Sequence, residues 1–356
     1  MIVVIPTARG INLRNLAPLI DHGSRFIVVD DSPGRVRINH RSFEVYAWSD
    51  RRRLLGPNEV AIPKGNGACR NLGFYMAWKE GDDDEIVVAL DDDCVVESLD
   101  FVDRVQSTLA PAQRPVVRGE GRHYNFLELF TDAVIRSQFP RGFPYSARVG
   151  YRTWTIEDVT DARVGLNLGL WRGVLDINAI DRLLPGDGHF GDARLRSENV
   201  VVPVGVLVSV CSGNMQFRRD VIPAIYQLPM NVEIMTNWRI NRYGDIWGGF
   251  MLKTLMDRRG DALSVGHPLV HHARAGSRIE NVKAEHLAHL VGDEFIDFLD
   301  RAAEKIEPED YCDMMEHLCE EFERLAPARS PILRTYLGTL MPSLRAWISA
   351  LGPCSV

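Results

Sequence analysis

Four apolar runs near the amino terminus are each too short for a helix, and each stops at polar residues. They are "IVVIP" (2–6), "RFIVVDD" (25–31), "FEVYAW" (43–48) and "EIVVALDDD" (85–93). Between them stand segments of helical spacing: "INLRNLAPLIDHG" (11–23), ended by a glycine, and "GACRNLGFYMAWKEG" (67–81), with Ala68, Leu72, Tyr75 and Met76 on one face. Continuous apolar strands alternating with amphipathic helices predict an α/β fold with a mostly parallel sheet flanked by helices. In such sheets ligands gather at the carboxyl ends of the strands. Asp30–Asp31 and Asp91–Asp93 both fall there.

The pattern breaks between about 112 and 198, a stretch rich in Arg, Gly and Pro whose most basic piece is "RSQFPRGFPYSARVGYR" (136–152). It reads as an irregular insertion that builds the rim of a site rather than a core. The alternation returns with the apolar run "VVVPVGVLVSVC" (200–211) and a helix near 219–227. A helix over "DIWGGFMLKTLMDRRG" (245–260) follows, with Asp245 as its N-cap and Gly260 as its stop. "ALSVGHPLVHH" (262–272) reads as a late strand, and "EHLAHLVGDEFIDFLDRAAEKI" (285–306) as an amphipathic helix. The expected division is an α/β domain over 1–278 and a C-terminal helical extension over 279–356.

Composition excludes some classes of function. A net charge of −7 leaves no global basic field for gripping a nucleic acid polymer. No apolar stretch approaches the roughly 18 residues that span a bilayer, and "MIVVIPTARG" breaks at Pro6 without the apolar core of a secretory signal. A cytoplasmic protein without membrane contact is expected, with self-association left open. The six cysteines, 69, 94, 211, 312, 319 and 354, include no C-x-x-C pair and read as reduced, mostly buried thiols.

Three adjacent carboxylates bracketed by apolar runs pose an electrostatic problem, since each resists ionising beside the others without a compensating cation. "GDDDE" (81–85) is polar on both sides and reads as surface, whereas the backbone of Asp91, Asp92 and Asp93 lies inside the fold. Two carboxylates separated by one residue at a strand end can share a divalent cation that takes phosphate oxygens as further ligands. "IPKGNGACRN" (62–71) runs into a helix whose free N–H groups favour an anion, with Lys64 before it and Arg70 and Asn71 in its first turn. Adjacent His271 and His272 point to opposite faces of a strand, so one can face the site as a metal ligand while the other packs. Arg274 just beyond can contact phosphate or stay on the surface. Asp245 is either a simple cap or, flanked by Tyr243 and Trp247, an acid suited to an acceptor hydroxyl or a sugar ring. Arginines around Arg141 either lie on the surface or suit a diphosphate.

"GACRNLGFYMAWKEGDDDEIVVALDDDC" resembles the donor-binding half of the Rossmann-like GT-A glycosyltransferases. More narrowly, "IVVIPTARG", "LLGP", "GACRNLGF", "ALDDDC", "FPRGFPYS", "RYGDIWGGFMLK" and "GHPLVHHARAG" occur in the order found in the reversibly glycosylated polypeptide family, which includes UDP-arabinopyranose mutases. The resemblance covers about residues 1 to 300. It implies a nucleotide-sugar enzyme using Mn or Mg, with Asp91 and Asp93 in the D-x-D roles, Asp92 beside the substrate and His272 as a further metal ligand. By the same resemblance, Arg141 matches the arginine associated with self-glycosylation. Thr7, Arg9, Asp30 and Asp31 match positions where the fold receives base and ribose. The 150–200 segment and the tail beyond 300 depart from the family pattern, and these are regions that would shape an acceptor site.

The reading favoured by the sequence is therefore a metal-dependent glycosyltransferase that moves a sugar from a UDP-sugar, or another NDP-sugar, to a small-molecule or protein acceptor. A UDP-sugar pyranose/furanose mutase with self-glycosylation and a non-catalytic nucleotide-sugar-binding protein are the alternatives.

Overall fold

The runs at 2–7, 25–30, 43–46 and 86–90 form four neighbouring parallel strands: β1 (Ile2–Thr7), β2 (Arg25–Asp30), β3 (Phe43–Tyr46) and β4 (Ile86–Leu90). The protein is described by a computed structural model, covering residues 1–183, 192–273 and 277–352. Val3, Val4, Ile27, Val28, Val87 and Val88 are wholly buried, as strands with helices on both faces require. The helices of this half are α1 (Ala17–Asp21), α2 (Trp48–Leu55) and α3 (Arg70–Glu80). A 3-10 turn, Leu13–Leu16, supplies the first part of the expected 11–23 helix.

The second half contributes β5 (Cys94–Val95), α4 (Phe101–Leu109), β6 (Arg114–Arg118), α5 (Ala133–Arg136), β7 (Thr155–Thr160) and β8 (Val164–Gly173). Then come β9 (Asn199–Val202), β10 (Asn214–Arg218), β11 (Val232–Met235), β12 (Trp238–Ile240), α6 (Gly244–Arg259) and β13 (Ala262–His272). The main sheet runs β3-β2-β1-β4-β10-β8-β13-β9-β6-β7, with β5 against the end of β13, while β11 and β12 form a separate hairpin. β10 is antiparallel to both β4 and β8, so it joins the parallel half to a mixed half. The architecture is the expected α/β sheet flanked by helices.

The stretch from 112 to 198 is not only rim: β8 lies inside the sheet, parallel to β13 and antiparallel to β10. Its apolar character is diluted by Asn167, which is wholly buried yet satisfied. The Asn167 amide donates to Gln216 Oε1 at 2.6 Å and to the His267 carbonyl at 2.8 Å, while its oxygen accepts from Ser264 at 2.7 Å and Asn199 at 2.9 Å. Fully paired polar groups of this kind fix register without leaving an orphan. Other local expectations also shift. The segment near 219–227 is a 3-10 helix over Arg219–Ala224 that contains Pro223, and of the 200–211 run only residues 200–202 are strand.

Three helices complete the chain, α7 (Arg278–Ala303), α8 (Tyr311–Leu325) and α9 (Pro331–Leu351), the first starting seven residues before its expected position. They pack onto the α/β layers through aromatic stacking: Phe295 on Trp247 at 4.4 Å and Trp347 on Tyr226 at 5.4 Å between ring centroids. Among the described residues no helix is long and apolar enough to cross a membrane. The all-reduced reading of the cysteines does not hold: Cys69, Cys94, Cys211 and Cys319 are free, but Cys312 is disulfide-bonded. Cys354 lies outside the described residues.

His123 shows what burial costs a titratable group here. Its ring lies edge-on to Phe143 and Phe250 at 5.7 and 6.1 Å. Burial pushes its pKa down to about 4 from the ordinary 6.5. As pH falls below 6.5 the unfolded chain therefore takes up a proton that the folded chain refuses. The stabilisation is complete above 6.5 and is lost as pH approaches 4. Its size is on the order of 3 kcal/mol. His123→Leu is expected to remove this component. Urea titrations should show the wild-type unfolding free energy dropping more steeply between neutral pH and pH ~4 than that of the variant; parallel profiles would contradict the assignment.

Candidate active site

At the carboxyl ends of β1, β2 and β4 a cavity of about 680 Å³ opens, and it extends across to β8, β13 and the start of α6. Its centre is the acid triplet, and each of the three carboxylates has its own partner. Arg70, the first residue of α3, pairs with Asp91 and also donates to the Leu90 carbonyl at 3.0 Å. Thr7 at the end of β1 donates to Asp92 Oδ2 at 2.6 Å, and Arg9 pairs with the same carboxylate. Asp93 faces His272, the last residue of β13, at 3.5 Å from Nε2, with Arg9 at 3.6 Å. The triplet is thus compensated from three directions.

The His272 ring has a defined orientation. Its Nδ1 lies 2.9 Å from the Val174 carbonyl, which can only accept, so Nδ1 carries a proton and Nε2 is turned to Asp93. Burial alone would favour the neutral ring, but Asp93 and the Val174 carbonyl outweigh it and raise the His272 pKa. Burial likewise pushes Asp93 up, yet His272 and Arg9 bring it below the usual carboxylate range. An imidazole fixed through one nitrogen, with the other facing a carboxylate, is a donor set that fits a divalent cation. Among the described residues no group of three His, Cys, Asp or Glu side chains stands at metal-binding distance, because Asp91 is turned to Arg70.

On the far wall Arg141 is buried between two acids. Its Nε donates to Asp176 at 2.9 Å, Nη1 and Nη2 to Asp245 at 3.0 and 2.7 Å, Nη1 also to the Arg242 carbonyl, and Nη2 weakly to Cys211 Sγ at 3.7 Å. All of its N–H groups therefore meet a protein acceptor. Burial opposes its charge, but Asp176 and Asp245 hold its pKa well above the ordinary value, and Asp176 is held well below the carboxylate range. Arg242 offers its carbonyl by taking a left-handed backbone, φ 63°, a conformation that non-glycine residues rarely adopt. Asp245 is not an N-cap. α6 begins at Gly244, which places Asp245 inside the first turn, where its carboxylate serves Arg141.

The structure brings Thr7, Arg9, Asp31, Arg70, Asp91, Asp92, Asp93, Arg141, Asp245 and His272 to this one cavity. Asp31 is occupied there, accepting from Trp48 Nε1 at 2.9 Å, Arg51 at 2.5 Å and the Gly65 and Asn66 amides at 3.1 and 2.8 Å. It pins the "KGNG" loop to the end of β2.

Four expected contacts lie elsewhere. Asp30 is buried and caps the turn after β2 through Ser32 and the Val36 amide at 3.0 Å. Lys64 is exposed, 5.6 Å over the Trp48 ring. Asn71 is buried and clasps the backbone of Gln227 at 2.9 Å. Trp247 stacks on Phe295 in the core. Arg274 lies outside the described residues. The sequence reading missed Trp171, Asp176, Arg182 and Arg242, which line the cavity from segments without periodic pattern.

Fold and cavity together define an α/β protein with an acidic, arginine-compensated cleft at the strand ends. A profile of the family "Reversibly glycosylated polypeptide" matches residues 2–351, and the chain belongs to that family. Among its relatives, the probable UDP-arabinopyranose mutase 4 of Arabidopsis thaliana is 28% identical over 80% of this chain and 72% of its own. UDP-arabinopyranose mutase 3 of the same plant is 26% identical over 98% and 90%. Among solved structures, glucosyl-3-phosphoglycerate synthase from Mycobacterium tuberculosis with Mn2+ and UDP-glucose overlaps at TM-score 0.34 and 13% identity, over 82% of this chain and 77% of that one. A mannosyltransferase from Pyrobaculum calidifontis with GDP-Man and Mn2+ gives 0.38 and 12%, over 98% and 85%. At that overlap, the strand order above describes the fold and the likeness adds nothing to it.

The paired acids make Arg141 testable as a strut. Replacing one member of a buried charge network strands the others, at about 3–5 kcal/mol. Arg141→Met is expected to lose that much stability in urea unfolding, and adding Asp245→Asn should recover part of it. An Arg141→Met protein as stable as wild type would mean the two acids do not depend on it.

Proposed function

We propose that the protein is a nucleotide-sugar enzyme whose first reaction is interconversion of the ring forms of a UDP-pentose, with no external acceptor. The observation that carries this choice is the state of the acids on the far wall. Asp176 and Asp245 are both committed to Arg141, so neither is a free base for an acceptor hydroxyl. Family membership and the names of the relatives supply the substrate class. The nucleotide is read into the end lined by Thr7, Arg9, Asp31 and the Gly65–Asn66 turn, and the sugar into the end lined by Trp171 and the Arg141 network.

Asp93 and His272, joined by Asp91 if it leaves Arg70, would hold a divalent cation, Mn or Mg. Bound there, it would supply Lewis-acid stabilisation of the diphosphate. The chain's own residues orient and enclose. Arg9 pairs with Asp92 and Arg70 with Asp91, and the Val174 carbonyl keeps Nε2 of His272 turned inward.

Self-glycosylation at Arg141, the second reading, would bond Nη2 to the anomeric carbon as that carbon's bond to the diphosphate breaks, UDP leaving and the Nη2 proton passing to Asp245 at 2.7 Å; the contact of Nη2 to Cys211 at 3.7 Å is the weakest the guanidinium makes.

Incubation with UDP-arabinopyranose and Mn2+, followed by chromatography of the nucleotide sugars, is expected to give the furanose form. EDTA should abolish it. Asp93→Asn should reduce it by roughly 10–100-fold or more through metal affinity, with a modestly lower melting temperature, because the neutral amide loses the ion pairs to His272 and Arg9. Label on the protein would support self-glycosylation, and UDP release only with an added acceptor would support a transferase. Full turnover in excess EDTA would sink the metal reading.

A further inference from the structure

Arg182 is the one arginine of the far wall for which the chain provides no counter-anion among the described residues. It is 7% exposed and lines the cavity. Its single side-chain hydrogen bond among the described residues goes to the Leu175 carbonyl. The neighbouring acids are taken: Asp176 by Arg141, Asp181 by Arg148 and Glu285 by Arg242. Burial lowers the Arg182 pKa, Asp176 only partly offsets this, and the like charges of Arg242 and Arg141 add to the lowering.

Arg242 stands on the same wall, its side chain 36% exposed, and its Nε donates to Glu285 at 3.1 Å. Its terminal amino groups have no protein acceptor among the described residues.

A buried guanidinium without an anion is costly, and its planar fork suits a phosphate oxyanion. We propose that Arg182, with Arg242 beside it, forms an oxyanion-binding subsite of the cavity that takes a phosphate group of the bound substrate. Its position follows from the chain itself. Gly173 turns left-handed at the end of β8, with φ 77°, and a Cβ there would meet the His272 carbonyl at 2.5 Å. The next three residues then each orient one side chain of the site: the Val174 carbonyl holds His272, the Leu175 carbonyl holds Arg182 and the Asp176 carboxylate holds Arg141. Arg182 is therefore held by the residue between those that hold the metal-ligand candidate and the buried strut. The phosphate has two sources, the diphosphate of the donor or a separate anionic substrate. Only the first rests on the nucleotide-sugar reading.

Calorimetry on the intact chain in EDTA, with UMP, UDP and then inorganic phosphate on the UDP-saturated protein, tests this. Wild type should bind UDP more tightly than UMP, or bind phosphate in addition to UDP. Arg182→Met should remove that increment, about tenfold or more, and leave UMP affinity unchanged. Loss of the UDP increment assigns the subsite to the donor, and loss of phosphate binding assigns it to a second substrate. Arg182→Lys, which keeps the charge without the fork, should retain part.

Without ligand, the melting temperature of Arg182→Met should hold or rise, whereas a structural arginine would lose stability. If wild type binds neither nucleotide yet holds phosphate through Arg182, the nucleotide-sugar reading fails and the subsite stands. Unchanged binding of every probe in Arg182→Met, or no anion binding by wild type, overturns the proposal.

Discussion

Three carboxylates in succession at the end of a buried strand repel one another, and the layout of the cavity follows from how that repulsion is relieved. No one cation can serve all three, because successive residues leave a strand end in different directions. Compensation therefore comes from three elements that are distant in sequence: the end of β1 through Thr7 and Arg9, the start of α3 through Arg70 and the end of β13 through His272. Each group also ties its element to β4. The close packing of Gly213 enforces the same geometry, since a Cβ there would come within 2.9 Å of Asp91 Oδ2.

The opposite wall solves the inverse problem. One guanidinium sits between two acids, and burying such a cluster is favourable only if every donor finds an acceptor. The last acceptor required is a backbone carbonyl, and Arg242 provides it from a left-handed conformation of the kind that costs on the order of 1–3 kcal/mol. Strain at Arg242 and completion of the Arg141 network are thus two sides of one arrangement. Arg182 lies next to it without such compensation, which is why it is the group left for a ligand.

The parallel half was legible because its strands are unbroken apolar runs, and the triplet because three acids beside a buried strand have few bland explanations. β8 was not. Gly165, Asn167 and Gly169 interrupt its apolar pattern, and Asn167 belongs there only because Gln216, Ser264 and Asn199 reach it from β10, β13 and β9. A pairing among four distant strands leaves no local signal. Asp176, Arg182 and Arg242 were hidden for the same reason, their partners being 35 or more residues away or backbone carbonyls. Asp30 and Asp31 show the opposite failure. Adjacent and alike in sequence, they alternate in direction, so that one caps a turn and the other anchors the Gly65–Asn66 loop.

Trp247 was read as a substrate contact because it flanks Asp245, two residues away, beside the expected site. On a helix, two residues correspond to about 200° of rotation, so the two side chains point to opposite sides. Asp245 faces Arg141, and Trp247 faces Phe295 of α7 at 4.4 Å and Tyr336 of α9 at 5.3 Å. The helical extension therefore fixes the rotation of α6, and with it the aim of Asp245. α7 reaches the site a second time through Glu285, which is 1% exposed and receives both Arg242 and the Ala179 amide. The departure expected of the tail does not hold, since the family profile runs through residue 351, and the helical extension is thus part of what holds the far wall in place, through stacking on one side of α6 and a buried carboxylate on the other.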